Sequence, residues 1–264
     1  MREVEPIVIK LAETKVVPLG IDMMLQSLGA SDETRSVRLE KGKDNAEEVI
    51  EMAGRMCYKS FEIGMNPNVT KIRQDSKDYF ENILKKGDGS ILEHGSVTFA
   101  LLNVSRVFTH ELVRHRVGTA FSQESLRYVR PKDIGLWIPD ELTMEQHLKL
   151  ESSVMEIEAM YQELEKMVDW DKLPFDQKKR LTSAFRRMLP DGMATNIVFT
   201  ANHRTLRWLI EMRTDPAAEV EIRLVFDQIA MILKTDFPLI YMDFERMELP
   251  DGTGQWKPSL RSKV

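Results

Sequence analysis

The sequence predicts a helix-rich α+β fold built as a single domain. Three features carry that prediction. Several long segments place apolar residues at helical spacing, a few short runs between them are β-prone, and no Pro/Gly/Ser-rich stretch divides the chain. Internal repeats and low-complexity segments are lacking.

From the N-terminus, residues 6–12 (Pro-Ile-Val-Ile-Lys-Leu-Ala) read as a strand. Asp44 stands where an N-cap belongs, ahead of Val49, Ile50, Met52, Ala53 and Met56 at helical spacing. A helix over 76–86 should stop at Gly87. Residues 96–104 are continuously β-prone, as a buried strand would be, and Ser105 then caps a helix through about 114. Thr143-Met-Glu-Gln146 is a capping box opening a long helix to about 168, with Leu148, Met155, Met160 and Leu164 on its apolar side. Its methionines, among them Met144 and Met167, suit a core or a subunit contact better than a cofactor site. A helix fits 176–188, ended by Pro190 and Gly192, then a strand 195–201 and a helix 203–212. Asp215-Pro216 reads as a cap followed by proline at the first helical position, opening a helix to about 234. These elements place the domain at 1–247, with 248–264 a polar tail that reads as loop.

Composition narrows the function. A 42% hydrophobic and 30% charged chain is ordinary for a soluble globular protein. Its net charge of −5 argues against a general nucleic-acid surface. No run approaches the ~18 apolar residues of a membrane span. The opening Met-Arg-Glu-Val-Glu is acidic where a secretory signal would be basic. The one cysteine, Cys57, excludes an intrachain disulfide and a Cys-rich zinc site, fits a reducing cytoplasm, and reads as core.

The arginines are unevenly placed. Residues 87–131 hold five arginines and no lysine (Arg106, Arg114, Arg116, Arg127, Arg130). Residues 181–233 hold six, again without lysine (Arg186, Arg187, Arg204, Arg207, Arg213, Arg223). Solvated surfaces accept either cation, whereas two-point binding of phosphate or carboxylate demands the guanidinium fork. The windows point to an anionic site or to internal Arg–carboxylate pairs. Within a helix, Arg114-His115-Arg116 would fan out at about 100° per residue. His110-Glu111 and His115 miss the metalloprotease spacing by one residue, so no metal site is expected. Gly87-x-Gly89 lacks the third glycine of a dinucleotide fingerprint and reads as a turn. His94 and His203 read as structural histidines.

Arg114-His115-Arg116, a spacer, then Ser125-Leu126-Arg127-Tyr128 resembles the signature of the flavin-dependent thymidylate synthases, Arg-His-Arg followed by Ser-x-Arg-Tyr. Further stretches match in order: Arg55-Met-Cys57-Tyr58, Gly87-Asp-Gly-Ser-Ile-Leu-Glu-His94, Arg186-x-x-Leu-Pro190, and Asn202-x-Arg204-x-Leu206…Arg213. The resemblance implies a central β-sheet, a homotetramer with active sites shared between subunits, and an enzyme that methylates dUMP to dTMP. Its cofactor would be FAD, with methylenetetrahydrofolate as one-carbon donor and NADPH as reductant. By motif position, Arg114, His115 and Arg116 would touch FAD, with Ser90, Gln123, Asn202, Arg204 and Trp208 completing that site. Glu111, Arg114, Gln123, Glu124, Ser125, Leu126, Arg127, Arg186 and Arg213 would hold the nucleotide, Arg213 as the catalytic group at the uracil edge. Such an enzyme needs no cysteine nucleophile, because the cofactor carries the hard chemistry. The chain departs from the pattern in a spacer of eight residues where seven is usual, which implies a bulged loop. Asp88 stands for a frequent histidine, Glu111 for a glutamine, and Trp208 for a polar residue. Those departures keep open a related FAD enzyme with another base or a hydroxymethyl product. A non-catalytic nucleotide- or RNA-binding module is the alternative of another class, but few aromatics stand among the arginines to serve as stacking platforms.

Overall fold

The computed structural model describes residues 1–260. In chain order it has β1 (Arg2–Glu3), β2 (Ile7–Glu13), α1 (Pro18–Ser27), α2 (Asp32–Lys41), α3 (Ala46–Tyr58), α4 (Ser76–Lys86) and β3 (Ser96–Ser105). Then come α5 (Arg106–Leu112), β4 (Thr119–Gln123), β5 (Gly135–Leu136), α6 (Met144–Lys166), α7 (Phe175–Phe185) and β6 (Ala194–Asn202). The chain finishes with α8 (His203–Arg213), α9 (Val220–Asp236), β7 (Phe244–Glu248) and β8 (Gly254–Pro258). A four-stranded sheet runs in the order β2-β3-β6-β4. The class is α+β, as expected.

The chain forms two compact units. The first comprises Met1–Ile9, Phe99–Arg116 and Ala120–Phe199. Its core gathers Leu126, Ile134, Leu136, Ile138, Val154 and Met193, and β1 pairs in parallel with β5. The second comprises Lys10–Thr98, Val117–Thr119 and the chain from Thr200 on. It buries Ile50, Phe80, Leu206, Ile210, Phe226, Ile229, Leu233 and Phe237. No linker announces the division, because each unit draws on several separate stretches of sequence.

Local chemistry sets most element ends. Asp75 accepts from the Lys77 N–H at 2.6 Å to start α4, and Gly87 at φ 71° ends it in the left-handed conformation. Thr143 and Gln146 form the full capping box of α6. That helix buries Val154, Glu158 and Tyr161, not the stripe read from the sequence. Leu148, Met155 and Met160 stand about half-exposed, and Met144 and Met167 more so, so they are not core of this chain. Asn45, not Asp44, caps α3, accepting from Glu47 N–H at 3.0 Å. The Asp44 carbonyl is already taken by the Val16 N–H.

Two expectations near the C-terminus change. Asp215 caps only a turn, through Ala217 N–H at 3.0 Å, and α9 starts later with Glu219 as its cap. The tail is a hairpin rather than loop: β7 and β8 pair antiparallel from Phe244↔Pro258 to Glu248↔Gly254. The boundary drawn after residue 247 falls inside β7, and residues 261–264 lie outside the described residues.

Asp227 of α9 organises that hairpin. Its carboxylate accepts from Trp256 Nε1 at 2.7 Å, from Arg246 Nε at 2.9 Å and Nη2 at 2.8 Å, and from Gly254 N–H at 2.9 Å. Burial works against the charged form, but the hydrogen bonds from Arg246 and Trp256 outweigh it and hold the carboxyl below its ordinary value. A depressed folded-state pKa gives stability that is complete above the unfolded value of about 3.9 and is lost as pH falls through the folded one. Urea midpoints should therefore drop below about pH 4, and Asp227→Asn should flatten that drop. An unchanged acid profile in the variant would count against the network.

Candidate active site

In the first unit, Ser105 Oγ accepts from the Phe108 N–H at 3.0 Å to start α5. The helix ends at Leu112 with Val113 as its C-cap, short of the expected residue 114. Arg114-His115-Arg116 therefore follows the helix, and the fan of side chains is replaced by alternation. Arg114 and Arg116 are exposed, while His115 is 8% exposed. Glu111 sits half-buried on the last turn of α5. The spacer after Arg116 is not a bulged loop; most of it is β4.

Beyond β4 the matched residues are tethered. Gln123 Nε2 donates to Thr109 Oγ1 at 3.2 Å. Glu124 Oε2 accepts from Asn196 Nδ2 at 2.9 Å, and Asn196 Oδ1 accepts from Asn103 N–H at 3.1 Å. Asn103 holds a left-handed φ of 57° within β3. Ser125 Oγ accepts from the Arg127 N–H at 3.4 Å. The Leu126 side chain is core. Arg127 is exposed, its guanidinium 6.0 Å from the Tyr128 ring centre. Arg186 opens a 3-10 turn after α7 and is half-buried, whereas Arg187 is exposed.

In the second unit, Val117 and Gly118, which follow Arg116, are laced to the start of α8. Asn202 N–H donates to Gly118 O at 3.0 Å, and Thr205 Oγ1 donates to Val117 O at 2.9 Å. Asn202 Oδ1 caps α8 through the Thr205 N–H at 2.9 Å. Gly118 has φ 69°. A Cβ there would lie 2.4 Å from Asn202 Nδ2 and 2.5 Å from Thr205 Oγ1. Gly118→Ala should cost at least the ~1–3 kcal/mol of a left-handed non-glycine residue. Urea midpoints and the flavin retained on purification should both fall, and a neutral result would show the turn to be pliable.

Arg204 Nη1 reaches Glu93 Oε1 at 2.5 Å. Glu93 was not singled out from the sequence, although it lies within the matched stretch 87–94. His203 is fully buried, with Nδ1 3.0 Å from the Tyr241 hydroxyl. Burial, with nearby Arg207, lowers its pKa to about 3, so the ring stays neutral and serves the core.

Two pockets hold other matched residues. Trp208 and Arg213 line one open cleft of about 640 Å³ together with Glu211, Met212, Asp215, Ala217 and Ala218. Ser90 and Asp88 line another of about 360 Å³, where Cys57, Lys71, Arg73 and Lys86 also stand. Cys57 is thus exposed, not core. It stands on the last turn of α3, one turn beyond the buried Gly54, which lines the same pocket.

The arginine windows divide. Arg207 is buried against Asp243, Arg223 pairs with Asp251, Arg204 pairs with Glu93, and Arg130 lies near Glu165 and over Trp170. For Arg207, Arg223 and Arg130 the structural reading holds, while the Arg204–Glu93 pair is partly exposed. The ion pairs among the described residues leave out Arg114, Arg116, Arg127 and Arg186.

Residues 38–239 match the family model described as thymidylate synthase complementing protein. The flavin-dependent thymidylate synthase of Corynebacterium diphtheriae is 34% identical over 223 residues, 82% of this chain and 86% of that protein. That of Mycobacterium tuberculosis is 35% identical over 217 residues, 80% of this chain and 84% of its own. That of Corynebacterium efficiens is 30% identical over 242 residues, 89% and 94% of the two chains. With its ordered motifs and this extent of similarity, the chain belongs to the thymidylate synthase complementing protein family, whose relatives here are flavin-dependent thymidylate synthases.

Proposed function

We propose that this protein methylates dUMP to dTMP, with FAD as cofactor, methylenetetrahydrofolate as one-carbon donor and NADPH as reductant. One observation carries the reading beyond family membership. Among the described residues, Arg114, Arg116, Arg127 and Arg186, like Arg106 and Arg187 of the same lysine-free windows, stay outside the ion pairs that occupy their neighbours. Forks left without carboxylates suit phosphate and ionised-base ligands.

The donor set fits a flavin dinucleotide. Its diphosphate is anionic, matching exposed Arg114 and Arg116, and Ser90 shares a pocket wall with Lys71, Arg73 and Lys86. On this reading Arg114, His115, Arg116, Ser90, Gln123, Asn202, Arg204 and Trp208 hold FAD. Asn202 would do so while capping α8, and binding by Arg204 competes with Glu93. When bound, the flavin supplies the one-carbon and hydride chemistry. Glu111, Arg114, Gln123 to Arg127, and Arg186 hold the nucleotide, with buried Leu126 contributing through its backbone. Arg213 faces the uracil edge and stabilises negative charge as N3 ionises, a role that needs a cation at every working pH. The site is shared between subunits of a homotetramer working in the cytoplasm.

In the overall reaction the methylene carbon breaks its two bonds to the folate nitrogens, which leave as tetrahydrofolate, and joins C5; the C5 proton leaves, and two electrons from NADPH with a proton complete the methyl group. The test is product analysis with dUMP, methylenetetrahydrofolate and NADPH, alongside the visible spectrum. A yellow protein that bleaches with NADPH and forms dTMP supports the reading. Bleaching with a different nucleotide product favours the related chemistry that Glu111 suggests. A colourless protein that binds nucleotide and turns nothing over overturns it.

A further inference from the structure

The turn that follows Arg213 is held from outside the matched stretch. Thr214, Asp215 and Pro216 are the first three of the six residues between α8 and α9, and each has a partner. Thr214 Oγ1 donates to Ile210 O at 2.7 Å and accepts from the Trp256 N–H at 2.9 Å. Asp215 Oδ2 accepts from Gln255 Nε2 at 3.2 Å. Pro216 O accepts from Arg223 Nη1 at 2.8 Å, and Arg223 is in turn paired with Asp251 in the hairpin's turn. Thr214 is fully buried and Trp256 is under 5% exposed, so the bonds of Thr214 are shielded from water, while those of Asp215 and Pro216 are half-buried. The hairpin is itself anchored, by the bonds of Gly254 and Trp256 in β8 to Asp227 of α9 and by the Asp243–Arg207 pair just before β7. A bonded path thus runs from the protein core through β8 to the residue next to Arg213. Asp215 also lines the same cleft as Arg213 and Trp208.

We propose that the β7–β8 hairpin positions Arg213, with Gln255, Thr214 and the Trp256 backbone as positioning residues for the nucleotide half of the reaction. This rests on the role given to Arg213 above. A guanidinium at the end of a helix has a long arm, and its aim depends on the backbone turn that fixes its Cα. Holding Thr214 and Asp215 from the hairpin, and Pro216 from Arg223 of α9, removes the freedom of that turn before substrate arrives.

The experiment uses flavin-loaded protein and four readouts: dTMP formed per bound flavin, dUMP affinity, the rate of flavin bleaching by NADPH, and melting temperature. Gln255→Glu sets a carboxylate against Asp215 and should lower dTMP turnover per flavin by about ten- to a hundredfold, with NADPH bleaching unchanged. Adding Asp215→Asn lets the new amide donate to the new carboxylate, so the double variant should recover most of the loss. Thr214→Val deletes the acceptor for the Trp256 N–H and should also lose turnover, whereas Thr214→Ser keeps the hydroxyl and the rate. These threonine variants serve if Gln255→Glu fails to fold. The proposal is overturned if turnover per flavin stays at the parent level while only the melting temperature falls, or if the two charge changes act additively with no rescue. Arg213→Lys run in parallel separates the two ideas. Full activity there removes the role of Arg213 itself, whereas a crippled Arg213→Lys beside a fully active Gln255→Glu removes only the hairpin's part.

Discussion

Arg213→Lys should lower turnover on dUMP by about 10²–10³-fold, the scale for removing one preorganised charge-stabilising donor, while dUMP binding weakens far less. Arg213 closes α8 and lines the cleft with Trp208, Glu211 and Asp215. Lysine keeps a cation at the helix C-terminus, where it complements the helix dipole, so the fold should be little affected. What it lacks is the planar fork that meets a carbonyl and an ionising ring nitrogen together. An interaction made chiefly in the transition state lowers kcat and kcat/KM together and leaves ground-state affinity nearly alone. Single-turnover dTMP formation and a dUMP titration followed in the flavin spectrum supply the two numbers. Equal losses in both would assign Arg213 to ordinary binding.

Asp243→Ala should destabilise the protein by about 3–5 kcal/mol, the usual consequence of stranding a buried charge. Arg207 donates to Asp243 Oδ1 at 2.7 Å and Oδ2 at 2.8 Å and to Ile240 O at 2.6 Å. Its guanidinium also lies 4.7 Å from the Phe244 ring centre. Both partners are under 7% exposed, so water cannot replace the lost carboxylate. A loss of that size is a large part of a typical stability of about 5–15 kcal/mol. The double change Arg207→Leu with Asp243→Leu should cost less than Asp243→Ala alone, because no unpaired charge then remains. Urea unfolding of the three proteins tests this; a single variant milder than the double would contradict it.

The sequence by itself determined the features whose causes lie within a few residues. The N-cap of α6 is a hydrogen-bond pair closed over Thr143–Gln146, and the end of α4 is a left-handed glycine at 87; both were legible. The strand β3 was legible because continuous apolar character and β-propensity need no partner to be seen. The ordered motifs were enough to place the family, since they are patterns of residue identity. They were not enough to give conformation. Arg114-His115-Arg116 looked helical, but His115 is buried, and the segment that follows is tied to Asn202 and Thr205 about eighty residues away.

Tertiary structure decided the rest. Arg204, Arg207 and Arg223 share a window with Arg186 and Arg213, and composition treats them alike. Only the fold brings Glu93, Asp243 and Asp251 to three of them. Asp215-Pro216 has the local form of a helix start, yet the carboxylate also takes a bond from Gln255 forty positions on. The C-terminal segment looked like loop because it is polar with Gly and Pro. It is a hairpin because Arg246, Gly254 and Trp256 meet one carboxylate on α9. Local hydrogen-bond rings are written in neighbouring residues, while a buried charge finds its partner only when distant segments are packed together.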